Sequence, residues 1–378
     1  MSRAARTSSA LAPDLREAPL PAPGRRATAP PPPPDTARAA AALARCRELT
    51  RPALVEAVGH LDAWTAEMAA YALGWRDPGG APDPAASGGK GVRQALAVLA
   101  AEAVGAHSTA AVPAAVAVEL VHTFSLLHDD IMDGDPVRRR RPALWRAYGV
   151  GPAVLAGDAL HALAVQSLAE APGDRAPAAV RHLSRTLTAL VRGQADDLRF
   201  EERPWTGADA VDVAEYRDMA EHKTGALLGC AAALGAELGG APAKTVAALD
   251  RAGRHLGVAF QAVDDLLGIW GDPAVTGKPV HGDLRQRKKT YPVLAALATT
   301  GPARRELAAL LNCAKPLRGA TAARAAALVD EAGGRAATRA EASAHLDAAR
   351  TCLRAARPDP EAARDLDALL TSLLDRTW

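Results

Sequence analysis

The hydrophobic positions of this chain follow the pattern of a helical protein. From about residue 37 onward they are mostly Ala and Leu, with few β-branched runs and no strand-like alternation of apolar and polar residues. The sequence contains no βαβ rhythm, glycine-rich phosphate loop or internal repeat. The pattern predicts an all-α fold of about a dozen helices in a single domain over residues 37–378. Glycine and proline, which end helices, separate the predicted helices at Gly79-Gly80, Gly88-Gly89, Pro172-Gly173, Gly239-Gly240, Gly301-Pro302, Gly333-Gly334 and Pro358.

Residues 1–36 differ in composition from the rest of the chain. They are mostly Ala, Pro, Arg and Ser, include the run from Pro30 to Pro34, and contain almost no large apolar residue. Because such a segment buries too little surface to offset its ordering entropy, we predict a disordered tail that is partly polyproline II. A transit peptide, a tail that docks to a partner or larger assembly, and an inert extension all fit. The proline density argues against the amphipathic helix of a transit peptide.

Composition and charge exclude several classes of protein. The 45 basic and 43 acidic residues leave a net charge of +2, so no global field favours nucleic acid and no such partner is expected. The four cysteines lack the spacing of a zinc site or a disulfide framework. No apolar run approaches a membrane span and no signal-peptide core is visible, so we expect a cytoplasmic location. Aromatic residues make up only 3% of the chain, which predicts an aliphatic core.

Two acidic clusters indicate the chemistry. Asp129, Asp130 and Asp133 form the first, and Asp264 and Asp265 open the second. Carboxylates this close repel by roughly 1 kcal/mol per pair even in a water-like dielectric, so a cation is expected among them. Asp129 and Asp133 share one face of a helix, and oxygen ligands suit Mg²⁺, which completes its coordination with waters and phosphate oxygens. One cluster alone would equally fit a solvated acidic face, but two clusters with nearby cations favour a metal–diphosphate site.

Further cations and polar residues accompany the clusters. The segment from Gly88 to Arg93 places Lys90 and Arg93 at a predicted helix start, where the backbone and the helix dipole favour an anion. Two more polar segments run over residues 221–225 and 271–290. Each residue by itself would fit a solvated surface position or a satisfied interior one. All of them in series indicate a diphosphate site.

Taken in chain order, these segments resemble the trans-isoprenyl diphosphate synthases, the polyprenyl synthetase family, over roughly residues 50 to 300. The resemblance implies a single-domain helical bundle with a central active-site cavity, a homodimer, and Mg²⁺-dependent prenyl transfer with three ions per site. It implies metal binding by Asp129, Asp130, Asp133, Asp264 and Asp265. It implies that isopentenyl diphosphate is held by Lys90, Arg93, His122 and Arg139, and the allylic diphosphate by Arg138, Lys223, Gln261, Lys278 and Lys288.

The family's reaction explains why these residue types are needed. Cleavage of the allylic C–O bond leaves a carbocation and a highly charged diphosphate, which metal ions and basic side chains stabilise. The alkene of isopentenyl diphosphate then attacks the cation, and the departed diphosphate is the expected base. Thr224 is expected to face the cation, and Gln261 to orient the leaving group or its metal. The implied catalytic residues are Asp129, Asp130, Asp133, Lys223, Thr224, Gln261 and Asp264.

The chain departs from the family's pattern at two places. Gly268 stands where the second acidic motif usually ends in Asp, so we expect the third Mg²⁺ to be held more loosely. Arg140 and Trp145 stand where Gly and His are common, which changes the loop after the first motif.

Product length is expected to depend on a steric floor four or five residues before the first motif, at Ser125 and Phe124. A longer chain gains about 0.8 kcal/mol per buried CH₂, so only a physical stop ends growth. One aromatic at the fifth position resembles the geranylgeranyl (C20) producers, although an ideal helix puts Phe124 nearly opposite the carboxylates and a plain core aromatic also fits. The other interpretations are a farnesyl or longer-chain synthase, a class I terpene cyclase, whose Asn/Ser/Glu motif is missing around Asn312, and a non-catalytic partner subunit, which only Gly268 favours.

Overall fold

The computed structural model describes residues 34–78, 81, 89, 91–273, 280–313 and 315–374. These residues are predominantly helical, which confirms the predicted all-α class. The helices are α1 (Pro34–Gly59), α2 (Ala63–Ala72), α3 (Val92–Ala103), α4 (Val112–Met132), α5 (Leu144–Tyr148), α6 (Val150–Ala169), α7 (Ala176–Glu202), α8 (Val213–Ala220), α9 (Ala226–Leu238), α10 (Ala243–Trp270), α11 (Gly282–Arg285), α12 (Tyr291–Leu297), α13 (Pro302–Asn312), α14 (Ala320–Glu331), α15 (Gly334–Ala355) and α16 (Pro360–Leu374).

The predicted tail lies almost entirely outside the described residues. The exception is its end, because α1 begins at Pro34 and not at residue 37. Asp35 lies in the first turn, where a carboxylate interacts favourably with the positive end of the helix dipole. The boundary of the helical domain is therefore corrected to residue 34, while the disorder and the docking role of the tail stay predictions.

A short hairpin is the only strand pairing among the described residues. Strand β1 (Val137–Arg138) pairs antiparallel with β2 (Arg141–Pro142), and the turn consists of Arg139 and Arg140, with φ of 51° and 63°. This left-handed conformation costs a non-glycine residue about 1–2 kcal/mol. Turns of this kind usually carry Asn-Gly, so four consecutive arginines contain no turn signal. The hairpin was not predicted for that reason.

The centre of the bundle is formed by α3, α4, α9 and α10. Helix α9 contacts both α4 and α10, α6 packs against α4, and α15 packs along α10. The core consists mostly of Leu and Ala, with Leu99, Leu120 and Leu234 fully buried, which confirms the predicted aliphatic core. Each such leucine contributes roughly 1.5–3 kcal/mol of hydrophobic free energy. Helix α9 thereby fixes the spacing of the two helices that carry the acidic clusters.

The stretch Ser108–Met132, which includes α4, is long and apolar enough to span a membrane by length and composition. The sequence pattern had indicated no such stretch, because Glu119 and His122 interrupt it. In the structure, 61% of its apolar window is buried inside the fold, and its end carries Asp129 and Asp130. More than half of this apolar stretch therefore packs against the rest of the fold.

Close helix packing brings α7 to the predicted site. Residues Glu221–Gly225 form a π-helical turn between α8 and α9, a feature frequent at functional sites. A Cβ built on Gly193 would lie 2.3 Å from the backbone nitrogen of Lys223, so no other residue fits there without a shift of the backbone. Gly193 therefore lets α7 reach the turn that carries Lys223 and Thr224.

Candidate active site

The first acidic cluster lies at the C-terminal end of α4. Asp129 and Asp133 are partly buried, and the N–H of Asp133 donates to the carbonyl of Asp129 at 2.8 Å. Asp130 is buried and accepts hydrogen bonds from Arg138, one of them from Nε at 2.8 Å. Asp129 and Asp133 therefore lie together as predicted. The bond to Arg138 competes with the metal-ligand role predicted for Asp130 and with the diphosphate role predicted for Arg138.

The electrostatics of Asp129 fit a cation site. Burial is the main reason why the pKa of this carboxyl is raised to about 6; Lys223 opposes the shift and the neighbouring Asp133 adds to it. A pKa raised by burial means that the charged form lacks solvation. A divalent cation supplies the missing stabilisation, so the donor set at the end of α4 fits a hard metal ion such as Mg²⁺.

Helix α7 contributes a carboxylate that the sequence analysis missed. Asp197 Oδ2 lies 2.5 Å from Lys223 Nζ, and Asp197 also helps to raise the pKa of Asp129, after burial and Asp133. Its only signal in the sequence was the pair Asp196-Asp197 within a helix. Asp196 instead lies near Arg192 on the same helix, at 3.8 Å. Lys223, predicted to bind the allylic diphosphate, is thus oriented by α7.

Lys288 lies among carboxylates from several segments. Its Nζ is 3.6 Å from Asp133 Oδ2. Burial opposes its charge, but Asp133, Asp283 and Asp197 together raise the pKa of Lys288 above its usual value. Glu201 follows Asp197 by one helical turn, and burial together with Asp197 and Asp133 raises its pKa. A basic side chain surrounded in this way fits the predicted role in holding a charged diphosphate with its metals.

The second acidic cluster contains two different carboxylates. Asp264 is partly buried. Burial lowers the pKa of Arg93 to about 10, although the nearby charge of Asp264 acts to raise it. Asp265 is 3% exposed and accepts hydrogen bonds from the Tyr216 hydroxyl at 2.6 Å and the Tyr291 N–H at 2.9 Å. Burial raises the pKa of Asp265 to about 7. Direct metal ligation, predicted for both residues, is therefore corrected for Asp265, whose oxygens are turned to protein donors.

Thr224 and Gln261 meet between the π-helical turn and α10. The hydroxyl of Thr224 donates to Gln261 Oε1 at 2.9 Å, and Gln261 Nε2 donates to Asp265 Oδ1 at 3.0 Å. Thr224 is 9% exposed. Thr224, which is predicted to face the cation, is therefore bonded to Gln261, which is predicted to orient the leaving group or its metal.

The space at Gly268 is already occupied. A Cβ built on Gly268 would lie 1.8 Å from Oδ2 of Asp283, so the Asp283 carboxylate stands where a side chain of residue 268 would begin. Asp283 belongs to α11, and its carbonyl accepts from the Lys288 N–H at 2.9 Å. The absence of a third carboxylate on α10 is therefore matched by a carboxylate from the following segment.

A group of basic side chains lies close to the hairpin residue Arg139. Arg93, His122 and Arg139 are close enough to influence one another: burial and the two arginines hold the pKa of His122 well below its usual value. Glu119 is buried among them, and burial raises its pKa. Arg139 also lies against Gly89, where a Cβ would be 2.8 Å from Nη2. These residues fit the predicted anion site, while Lys90 and Lys278 lie outside the described residues.

Phe124 packs between two histidines. Its ring stacks on His161 of α6 with centroids 5.4 Å apart, and the ring of His128 meets it edge-on at 5.6 Å. Ser125 Oγ donates to the carbonyl of His122 at 2.9 Å. Phe124 is thus held at the junction of α4 and α6, and its predicted role as a floor stays a prediction.

The protein alone does not complete a metal centre in the part of the chain that the structure describes. No group of three His, Cys, Asp or Glu side chains there is arranged to hold an ion. Mg²⁺ usually takes one or two carboxylates and completes its coordination with water and phosphate oxygens. The arrangement therefore fits ions that arrive with a diphosphate better than a preformed cage.

Comparison with known proteins gives consistent results. The family described as polyprenyl synthetase matches residues 83–329. A geranylgeranyl diphosphate synthase of Mycobacterium tuberculosis is 47% identical over 77% of this chain and 82% of that relative. A (2E,6E)-farnesyl diphosphate synthase of Mycobacterium bovis is 48% identical over 71% of this chain and 73% of that relative.

Solved structures share the fold. A polyprenyl synthetase from Streptomyces coelicolor superposes with a TM-score of 0.82 at 46% identity, covering 88% of this chain and 98% of that one. A polyprenyl synthase from Caulobacter crescentus, complexed with calcium and isoprenyl diphosphate, has a TM-score of 0.75 at 27% identity, covering 89% and 98%. The chain belongs to the polyprenyl synthetase family and is a trans-prenyltransferase.

Proposed function

We propose that this protein condenses isopentenyl diphosphate with an allylic diphosphate to give geranylgeranyl diphosphate (C20), with three Mg²⁺ ions per active site. The observation that carries the proposal is the presence of two separate sets of basic residues. Lys223 and Lys288 lie among the carboxylates, whereas Arg93 and Arg139 lie close to His122. A reaction between two diphosphates needs two such sets.

Asp129, Asp133 and Asp264 are the residues that would hold Mg²⁺. The raised pKa of Asp129 and the lack of a complete cluster in the described residues support binding of ions together with a diphosphate. The Caulobacter relative, complexed with calcium and isoprenyl diphosphate, supports divalent ions in this fold. When bound, Mg²⁺ neutralises charge on the leaving diphosphate.

The side chains of this protein then act on the allylic substrate. Lys223 and Lys288 bind the oxygens of its diphosphate, and their carboxylate partners keep both Nζ groups in place before the substrate arrives. The C–O bond breaks, and its electron pair leaves with the diphosphate. Thr224, held by Gln261, presents an oxygen dipole to the cationic carbon, a site where a nucleophile would be harmful.

Arg93, His122 and Arg139 hold the second diphosphate. Burial is the largest cause of the lowered pKa values of all three groups, and repulsion from a neighbouring arginine adds to the shift at each of them. An anion relieves that repulsion. The alkene of isopentenyl diphosphate attacks C1 of the cation from this side, and the proton released from the new chain passes to the departed diphosphate.

Product length depends on Phe124 in this proposal. The stacked contact with His161 keeps the ring from moving aside as the chain grows. A farnesyl diphosphate synthase is the alternative, because relatives of nearly equal identity carry the two names. The distribution of products distinguishes the two.

The protein is proposed to act as a cytoplasmic homodimer. Leu155 on α6 and Val191 on α7 are 55% and 66% exposed in the isolated chain, and Val150 and Val154 on α6 are exposed as well. Large apolar side chains grouped on the surface often mark a contact with another protein. A role for the N-terminal tail in docking to a larger assembly is proposed from its composition alone.

One experiment tests the proposed function. Purified protein is incubated with Mg²⁺, labelled isopentenyl diphosphate and each of the C5, C10 and C15 allylic diphosphates, and the dephosphorylated products are sized. We expect label in C20 alcohol from every allylic substrate. Absence of incorporation contradicts the synthase, a C15 product supports the farnesyl alternative, and a cyclic hydrocarbon indicates a cyclase.

A further inference from the structure

Four side chains form a continuous line of hydrogen bonds that ends at Thr224, the residue proposed to face the reacting carbon. Tyr216 donates to Asp265 at 2.6 Å, Gln261 Nε2 donates to Asp265 at 3.0 Å, and Thr224 donates to Gln261 at 2.9 Å. The members come from α8, the π-helical turn and α10. Tyr216 and Asp265 are each 3% exposed, so water does not compete for these bonds. The line begins in the core and ends at Thr224.

The direction of every bond in this line follows from Asp265. Three donors converge on its carboxylate: the Tyr216 hydroxyl, the Tyr291 N–H and the Gln261 amide. The ionised carboxylate of Asp265 has only acceptors to offer, so the Gln261 atom that faces it is the NH₂ group. The oxygen of the same amide is thereby turned to Thr224.

Thr224 then has no freedom in how it presents its hydroxyl. Because the Gln261 oxygen accepts, the hydroxyl proton of Thr224 is committed to that bond. Only the two lone pairs of Oγ1 are then available to the substrate. A developing cation is stabilised by lone pairs and destabilised by a hydroxyl proton. The π-helical turn packs closely against α10 next to Thr224, since a Cβ on Gly257 would lie 2.3 Å from Gly225 Cα.

We propose that Asp265 and Tyr216 are positioning residues, which fix the amide of Gln261 and thereby turn the lone pairs of Thr224 toward the developing carbocation. This inference rests on the proposed prenyl transfer and adds to it a role for residues that do not touch substrate. It replaces metal ligation as the function of Asp265. The carboxylate acts through orientation, so its loss affects the rate of ionisation and not the binding of metal or diphosphate.

The decisive variant is Asp265→Asn. Its NH₂ group would face the NH₂ of Gln261, so the Gln261 amide turns over and offers a donor to Thr224, whose hydroxyl proton is then free to point at the substrate. We expect kcat to fall by about 10²-fold, with KM for both diphosphates within about threefold of the wild type. In a second measurement, Mg²⁺ is titrated in the presence of inorganic diphosphate and the thermal unfolding midpoint is followed. The Mg²⁺ concentration that gives half of the maximal increase should be unchanged. This second readout does not depend on turnover.

A double-mutant cycle distinguishes an effect of Asp265 on the orientation of Thr224 from a general loss of structure. Thr224→Val keeps the shape of the side chain and removes the hydroxyl. If Asp265 acts through Thr224, Asp265→Asn should cost less than about twofold in the Thr224→Val background, because coupled residues are not additive. Equal losses of kcat in the two backgrounds would overturn the proposal, as would a large rise in the Mg²⁺ requirement, which indicates a metal ligand.

Tyr216→Phe provides an independent arm if Asp265→Asn does not fold. It removes one donor to Asp265 and leaves the ring in place. We expect a kcat loss of about tenfold with the same unchanged Mg²⁺ midpoint, and an unchanged kcat overturns the inference. Wild-type protein that incorporates no label contradicts the proposed function itself. Active wild type with additive losses contradicts the positioning role alone.

Discussion

The carboxylate of Asp283 occupies the space in which a side chain of residue 268 would begin, with Oδ2 1.8 Å from a Cβ built on Gly268. The third carboxylate of the second acidic motif is therefore missing from α10 but not from its surroundings. Asp283 also contributes to the raised pKa of Lys288, after the opposing effect of burial and the larger effect of Asp133, so its charge reaches the diphosphate side of the site. Asp283 therefore supplies a carboxylate at the position where the motif on α10 lacks one.

Exchange of the two positions tests this relationship. Asp283→Ala should weaken Mg²⁺–diphosphate binding by about 10-fold, within the range for residues that support metal ligands. Gly268→Asp alone should also weaken it, because two carboxylates compete for one space. The double variant Gly268→Asp/Asp283→Ala should recover most of the loss. Calorimetric titration of inorganic diphosphate in Mg²⁺ measures all three, and an unaffected Asp283→Ala protein argues against the compensation.

Asp197 offers a second test, with a control on the same helix. Asp197→Asn removes the charge that holds Lys223, so the lysine loses its fixed position before the substrate binds. We expect KM for the allylic diphosphate to rise by roughly 10-fold, equivalent to about 1.4 kcal/mol, with KM for isopentenyl diphosphate unchanged. Asp196→Asn, whose neighbour is Arg192, should leave both values unchanged. Equal effects from the two variants would remove Asp197 from the site.

Local patterns in the sequence predicted the features that interactions between residues near in the chain determine. The Ala and Leu helices, the aliphatic core and the common face of Asp129 and Asp133 follow from composition and helical spacing. The bond from Tyr216 to Asp265 joins residues 49 positions apart in the chain, and no sequence signal pairs the two. Such a contact depends on how α8 docks on α10, which no short window encodes. Metal ligation was therefore assigned to both aspartates of a pair that the fold separates.

The position of Phe124 illustrates the same limit. Helical spacing puts it away from the carboxylates, and the structure gives it His161 and His128 as neighbours. Phe124→Ala should lengthen the product beyond C20, because the stacked ring is removed and each added CH₂ buried gains about 0.8 kcal/mol. Ser125→Phe should shorten it. Chromatography of the dephosphorylated products measures chain length, and a Phe124→Ala enzyme with unchanged products excludes the ring as the floor.

The arginine turn of the hairpin predicts a stabilising substitution. Arg140 has a φ of 63°, a conformation that costs an L residue about 1–2 kcal/mol and glycine little. Arg140→Gly should raise the free energy of unfolding by about 0.5–1 kcal/mol, since the greater freedom of glycine in the unfolded chain offsets part of the gain. Denaturant unfolding measures the change, and activity should be retained. Arg139→Gly, at the same turn, should instead raise KM for isopentenyl diphosphate.

The buried His122 makes a prediction about pH. Burial, Arg93 and Arg139 hold its pKa well below the usual value of about 6.5, so below that pH the unfolded chain takes up a proton that the folded protein does not. Stability contributed by His122 is therefore present above pH 6.5 and is lost as the pH falls. The raised pKa values of Glu119 and Asp129 act in the opposite direction, so the difference between two proteins must be measured.

His122→Gln removes this proton uptake while keeping a polar side chain of similar reach. Between pH 7 and pH 5.5, the free energy of unfolding of the variant should improve by about 1.2 kcal/mol relative to the wild type, as expected for one proton bound only by the unfolded chain. His60→Gln, at the exposed end of α1, is the matched control. Denaturant unfolding at both pH values gives the comparison. Parallel changes in wild type and His122→Gln would mean that His122 is protonated in the fold, in conflict with a neutral imidazole between two arginines.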